Sequence, residues 1–174
     1  MRLVCISIAS LVSLTGCFTS ETPLIGYWRS ETPLAEGQYA HWPVSSDGQE
    51  WDRSTWQGEI EIKRRRYVSP DNQFAHQNLR LYELHTDLYL SQIEGEIGTG
   101  FGILWIYDDG KVISYHQAEC GALSDAILAE QGLELDPEGF CLVDDLDQLE
   151  AIMRIYLETL GSDIRIDGVY RQIN

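Results

Sequence analysis

The chain has 174 residues, 12 of them basic and 28 acidic, for a formal charge of −16. Such an acidic surplus argues against nucleic acid as a partner and against a broad surface lying on anionic lipid. It suits a solvated acidic surface, with a basic partner or loosely held divalent cations as further options.

Arg2 is a short basic head, and Leu3 to Leu14 form an apolar, small-residue run. The run is too short for a transmembrane helix, which needs about 20 apolar residues. It reads as a secretory signal. An ordinary cleaved signal would release a soluble protein, and Thr15-Gly16 fits that loosely. A cysteine standing where cleavage falls favours an anchor instead. The ending Leu14-Thr15-Gly16-Cys17 resembles the lipobox of bacterial lipoproteins: aliphatic residue, small residue, Gly or Ala, then Cys. The resemblance implies a thioether to diacylglycerol on Cys17, cleavage just before it, and acylation of the new amine. Each acyl CH₂ leaving water contributes roughly 0.8 kcal/mol, so several chains on Cys17 hold the protein at the membrane. Phe18 and Thr19 follow the cysteine, so the Asp that commonly retains enterobacterial lipoproteins in the inner membrane is absent. In a host with two membranes, this implies the periplasmic face of the outer membrane.

Removing the signal peptide, residues 1–16, leaves 158 residues, enough for one domain with its own core. Cys5 leaves with the leader and Cys17 takes the lipid. The even remainder in an exported chain, Cys120 and Cys141, is read as a disulfide, with two buried free thiols as the alternative.

Residues 17–36 read as the lipidated cysteine and a tether, and residues 37–174 as a single domain. The tether holds a duplication, Ser20-Glu21-Thr22-Pro23-Leu24 and Ser30-Glu31-Thr32-Pro33-Leu34, too short and too few in copies for a solenoid. Trp28, Trp42, Trp51 and Trp56 cluster near the start of the domain. Large buried area explains most of them as core, while Trp42, Trp51 and Trp56 are also candidates for a binding surface. Gly58 to Ile62 alternates as a strand, followed by Lys63-Arg64-Arg65-Arg66. Continued alternation places Arg64 and Arg66 on the face of Ile60 and Ile62. A core face does not hold two unpaired guanidinium groups. The strand therefore leaves the core after Ile62, or a bulge shifts its register, or Arg64 and Arg66 point into a pocket and meet carboxylates or an anionic ligand; the acidic excess of the chain favours a solvated or internally paired edge over a ligand site.

Ser69-Pro70-Asp71-Asn72 is a turn. Leu79–Leu84 and Leu88–Ile93 read as strands, and residues 94–100 as a flexible glycine-bearing loop without phosphate-loop spacing. Phe101 to His116 reads as a hairpin about a type I′ turn at Asp109-Gly110. That register pairs Asp108 with Lys111, Ile106 with Ile113 and Leu104 with Tyr115. A short helix over 122–131 uses Leu123, Ala126 and Ile127 as its apolar side. A brief strand over 139–143 follows. A longer helix, capped by Asp145 with Gln148 in the reciprocal position, runs to Gly161. Residues 164–173 return as a final strand or hairpin.

The expected fold is α+β: a curled or barrel-like antiparallel sheet, then two helices and a short terminal strand. A lipocalin-like barrel is the runner-up on strand density alone. His41, His76, His85 and His116 fall in no catalytic or metal spacing, and Asp144, Asp145 and Asp147 are explained by helix capping. No cofactor is implied. The central run looks broadly like small uncharacterised exported lipoproteins, without a motif that assigns an activity. With no catalytic motif in the chain, the first reading is a non-enzymatic envelope lipoprotein that binds a protein partner or a small ligand through the tryptophan-rich entry, the basic strand, or both. The alternative is an envelope hydrolase with a carboxylate pair, such as Glu59 or Glu61 with an aspartate elsewhere.

Overall fold

Strand residues that alternate between two apolar faces build two cores, and the sheet bends so that both are filled. The computed structural model describes residues 17–95 and 98–173. The leader and Glu96-Ile97 of the glycine-bearing loop lie outside them. The strands are β1 (Phe18–Ser20), β2 (Gly37–Pro43), β3 (Trp56–Lys63), β4 (Arg66–Val68), β5 (Arg80–His85), β6 (Leu88–Gly95), β7 (Gly98–Tyr107), β8 (Val112–His116), β9 (Cys141–Leu142) and β10 (Gly168–Gln172). The helices are α1 (Asp125–Glu130) and α2 (Leu146–Leu160). The architecture is α+β.

One sheet runs β4-β3-β2-β10-β8-β7, with β6 and then β5 on the far edge of β7. β1 continues beyond β8 along one edge of β7, and β9 adds to β1 in parallel, so the sheet is mixed. The purely antiparallel sheet expected from sequence is corrected at that pair. The barrel-like form is corrected too. The two ends of the path meet at one bridge, where Tyr67 N–H donates to Leu79 O at 2.9 Å, and among the described residues no ladder closes the sheet.

The inner core takes Tyr39, Ile60, Tyr67, Leu81, Tyr89 and Tyr170, together with neighbours from β7 and β8. Eight strands contribute to that cluster, so the sheet must curl around it. The opposite face of β5, β6 and β7 presents Leu84, Leu90, Phe101 and Ile103 to α2, which answers with Leu149, Ile152, Met153 and Tyr156. The alternation on β7 is visible directly: Phe101 and Ile103 face the helix, while Leu104 and Ile106 face the curl.

The β7–β8 register is the one read from the sequence, with Leu104 opposite Tyr115 and Ile106 opposite Ile113. Asp109 and Gly110 adopt φ of 53° and 86°. The ladder ends at Tyr107–Val112, and Asp108 and Lys111 are joined through the backbone instead of pairing across it.

Residues 17–36 differ from the expected tether. β1 lies within the sheet, Ile25 is fully buried and its N–H donates to Gln92 Oε1 at 2.6 Å. Leu34 enters the inner core, its N–H bound to Tyr67 Oη at 2.9 Å. Pro23 and Pro33 interrupt any strand or helix period, so the sequence gives no sign that these apolar residues have docking places. The helices need smaller corrections. α1 starts at Asp125 because Ser124 Oγ accepts the Ile127 N–H, and Leu128 is buried where Ala126 was expected. On α2, Asp145 accepts from Gln148 N–H as expected, but Gln148 Oε1 takes the N–H of Asp144 instead of Asp145. Residues 164–167 precede β10 without joining the sheet.

Cys120 and Cys141 form a disulfide with Cα atoms 5.9 Å apart. It ties the segment after β8 to β9, the strand that flanks β1. Replacing both cysteines by serine should lower stability by about 2–4 kcal/mol. Thermal unfolding of the two proteins without reductant checks this, and equal midpoints would refute it.

Candidate functional site

Cys17 sits between two segments of the fold. Its carbonyl accepts the Cys141 N–H at 3.2 Å, and on its other side it bridges Glu119. The residue is 2% exposed, and Gln117 Nε2 donates to Sγ at 2.6 Å. Burial pushes the thiol pKa up. The Gln117 bond opposes this, and the Glu119 and Asp167 charges push the same way as burial. A neutral, enclosed thiol is a poor nucleophile.

Beside it, Asp167 joins β8 to the approach to β10. Burial pushes its carboxyl up, but His116, the Gln117 N–H at 2.7 Å and Arg165 at 2.9 Å together hold it below the usual range. His116 Nδ1 lies 3.2 Å from Asp167 Oδ2 but is poorly directed toward it. Tyr156 Oη accepts the Glu119 N–H at 3.2 Å and shares a hydrogen bond of 2.8 Å with His116 Nε2. The sequence treated His116 only as one of four isolated histidines. Tyr156 comes from α2 and Asp167 from beyond it, so no local spacing predicts the chain. His116 and Tyr156 are both buried, which makes the chain a tie between sheet and helix.

At one end of the curl lies a second network. His41 Nδ1 is 2.7 Å from Thr55 Oγ1, its Nε2 is 3.0 Å from Tyr115 Oη, and its ring is 4.5 Å from Tyr170. His76 Nδ1 is 2.7 Å from Tyr170 Oη. Burial lowers both imidazoles to about 4, with the neighbouring His41 adding to the effect at His76. The space left inside, among Leu34, Ile60, Phe74, Leu104 and Ile113, measures about 10 Å³. That is one water at most. The lipocalin-like reading therefore lacks its central chamber: among the described residues, the middle of the curl is filled with side chains.

The candidate tryptophans do not share one surface role. Trp56 packs on Phe74 with ring centres 5.2 Å apart, and its Nε1 donates to Asp71 Oδ2 at 3.2 Å. Trp42 lies under the Arg171 guanidinium, 5.3 Å from the ring centre, and Arg171 grips Glu50 through two bonds of 2.7 Å. Trp51, next to Glu50, is exposed. Trp28, which the sequence did not single out, is 86% exposed and stacks edge-on against Tyr27.

The basic run is where the sequence reading changes most. Arg64 and Arg65 adopt φ of 53° and 58° and form the reversal between β3 and β4, so strand alternation stops at Lys63. Arg64 is exposed at the tip and does not share the face of Ile60. Arg66 pairs across the ladder with Lys63, and its guanidinium meets Glu94 at 2.7 Å. Turns of this geometry ordinarily use Asn or Gly, which is why Arg-Arg gave no turn signal. Arg80, only 7% exposed, stands beside Arg66 and was not predicted. An arginine between Leu79 and Leu81 reads as a solvent-facing strand residue, and only the covering segment around Ser30 makes it a buried one. Glu59 is exposed and Glu61 pairs with Lys63.

Among the described residues, no helix is long and apolar enough to cross a membrane, and no three His, Cys, Asp or Glu gather as for a metal ion. Comparison with protein-family models, with curated proteins and with solved structures finds no match to this chain.

Proposed function

We propose that this chain is a non-enzymatic lipoprotein of the bacterial cell envelope, held by acyl chains on Cys17 at the periplasmic face of the outer membrane. Its role is to bind an envelope protein or a small ligand on its outer surface. The observation that carries the reading is Leu14-Thr15-Gly16-Cys17, placed directly before β1 at Phe18. The filled curl supports a surface role over an internal ligand chamber.

The enclosed Cys17 thiol adds an order of events. A sulfur at 2% residue exposure has no room for diacylglycerol, so lipidation precedes the docking of β1, and the modified cysteine leaves its niche beside Gln117. Intact mass of the membrane fraction should show a chain starting at Cys17 and carrying acyl mass. Cys17→Ser should remain full length. A mature chain that begins elsewhere without acyl mass would sink the anchor. Separation of the membranes on a density gradient tests the sorting independently, since cofractionation with inner-membrane markers defeats the outer-membrane placement alone.

A further inference from the structure

We infer that Arg66 and Arg80 form a site, reached from solvent at the half-exposed Arg66, for a singly charged oxyanion of the phosphodiester class. The inference deepens the surface-binding reading and does not depend on acylation of Cys17.

The argument begins with strand register. The bridge between Tyr67 and Leu79 is antiparallel, so Arg66 stands directly across from Arg80 on the same, outer face. Like charges directly opposite each other on neighbouring strands destabilise a sheet. Arg80 is more than nine-tenths buried, and within the described residues it has no carboxylate at ion-pair distance. Its one side-chain bond runs to Ser30 Oγ at 3.0 Å. Its Nε–H and that of Arg66 are both buried and find no acceptor among the described residues, and Glu94 Oε1, although 2.7 Å from the Arg66 guanidinium, is buried there without a well-directed donor. A buried guanidinium left in this state is costly unless an anion completes it.

Neighbouring groups do not supply that anion. Gln92 faces Arg80 across the β5–β6 ladder, but its Oε1 is taken by the Ile25 N–H. Two acids stand close by among the described residues: Glu94, which binds Arg66, and Glu31, which bridges Leu81 beside Arg80 and whose carboxylate lies 3.9 Å from Arg65. Burial and the Arg66 charge lower the Arg80 pKa, and Glu94 opposes them without restoring it. Arg66, Arg80 and Glu94 together carry a net +1. A single monoanion neutralises the cluster. Donors reaching in from two strands suit a tetrahedral phosphate, whose oxygens point in several directions, better than a flat carboxylate. At the rim, the Arg65 guanidinium lies 5.8 Å from the ring centre of half-exposed Tyr27, and exposed Trp28 follows it. The overall acidity does not prevent this, because exposed charges beyond about 8 Å are screened at physiological salt.

Two sources carry the same chemistry, a free phosphodiester and a phospholipid headgroup. The test uses the full chain purified in non-ionic detergent, titrated calorimetrically with glycerophosphoglycerol, and the same protein with vesicles of phosphatidylglycerol or phosphatidylcholine. Saturable binding is expected, weakened at least tenfold in Arg80→Gln and in Arg66→Gln, and changed less than twofold in Lys63→Gln. Should Arg80→Gln fail to fold, Arg66→Gln carries the test, and the rise in melting temperature with ligand should vanish in it alone. Binding of the soluble diester identifies a free ligand. Binding of phosphatidylglycerol vesicles alone, with the same arginine dependence, identifies the headgroup. Absence of saturable binding of either probe up to about 10 mM, which is weaker than about −3 kcal/mol, overturns the site. Binding indifferent to Arg66 and Arg80 overturns it too. Loss of the site with acylated Cys17 leaves the anchor standing, and a missing acyl mass with binding intact leaves the site standing.

Discussion

Gly110→Ala should destabilise the fold by about 3–4 kcal/mol, because a strained backbone and a backbone clash add at one position. Gly110 has φ of 86°, a conformation that alanine adopts only at a penalty. A Cβ there would also run into Pro33 O, with Ala35 N at 2.8 Å and the Leu34 Cα at 3.0 Å. None of these is the movable end of a side chain. The hairpin tip therefore has to lift away from residues 33–35. Leu34 would lose its place in the inner core, and the Tyr39 hydroxyl, 2.7 Å from Gly110 O, would lose a partner. Urea unfolding of the full chain measures the effect. Gly100→Ala is the control, since nothing lies within 4 Å of its added Cβ, and it should change stability by no more than about 0.5 kcal/mol. Equal behaviour of the two variants would show that the 33–35 segment is not seated on the hairpin as described.

Acid should unfold the domain in two separable windows, the first set by His41 and His76. Both have folded-state pKa values lowered to about 4, against about 6.5 in an unfolded chain. The unfolded state then binds more protons between these values, so stability falls as pH falls from about 6.5 to about 4 and levels below that. His41, buried against Thr55, Tyr115 and Tyr170, supplies of order 3 kcal/mol of this loss. His76 keeps a partly exposed edge and adds a smaller share. The second window lies lower. Asp167, held below the usual range by His116, Gln117 and Arg165, contributes stability above the ordinary carboxylate pKa and loses it as pH falls through its own lowered value. Denaturant titrations from pH 7 to about pH 4 should show the slope, and His41→Gln should flatten it. A wild-type profile that is level above pH 5 would refute the histidine assignment.

How much of this was legible before folding depends on the range of the signal. The β7–β8 register, the Asp145 cap and the Cys120–Cys141 pair were readable because each rests on residues close in sequence or on a count. The basic run was legible as a solvated or internally paired edge, as Arg64 at the tip and the Arg66–Glu94 pair show, but its register beyond Lys63 was not, because a two-residue reversal at Arg64-Arg65 looks locally like two more steps of strand. Arg80 drew no notice for the opposite reason. Its neighbours give a clean alternation, and the segment that buries it comes from fifty positions earlier in the chain.

The sequence by itself determined the acidic character, the α+β class and most of the elements after residue 37. These follow from residue type, periodicity and local turn chemistry. Tertiary structure alone decided that residues 17–36 dock in the fold and that the curl is filled. It alone joined His116 to Asp167 and Tyr156, and set Arg66 opposite Arg80. Each of those rests on a contact between segments far apart in the chain, created when the sheet bends to bury both of its faces, and no local pattern of residues encodes where such a bend brings two strangers together.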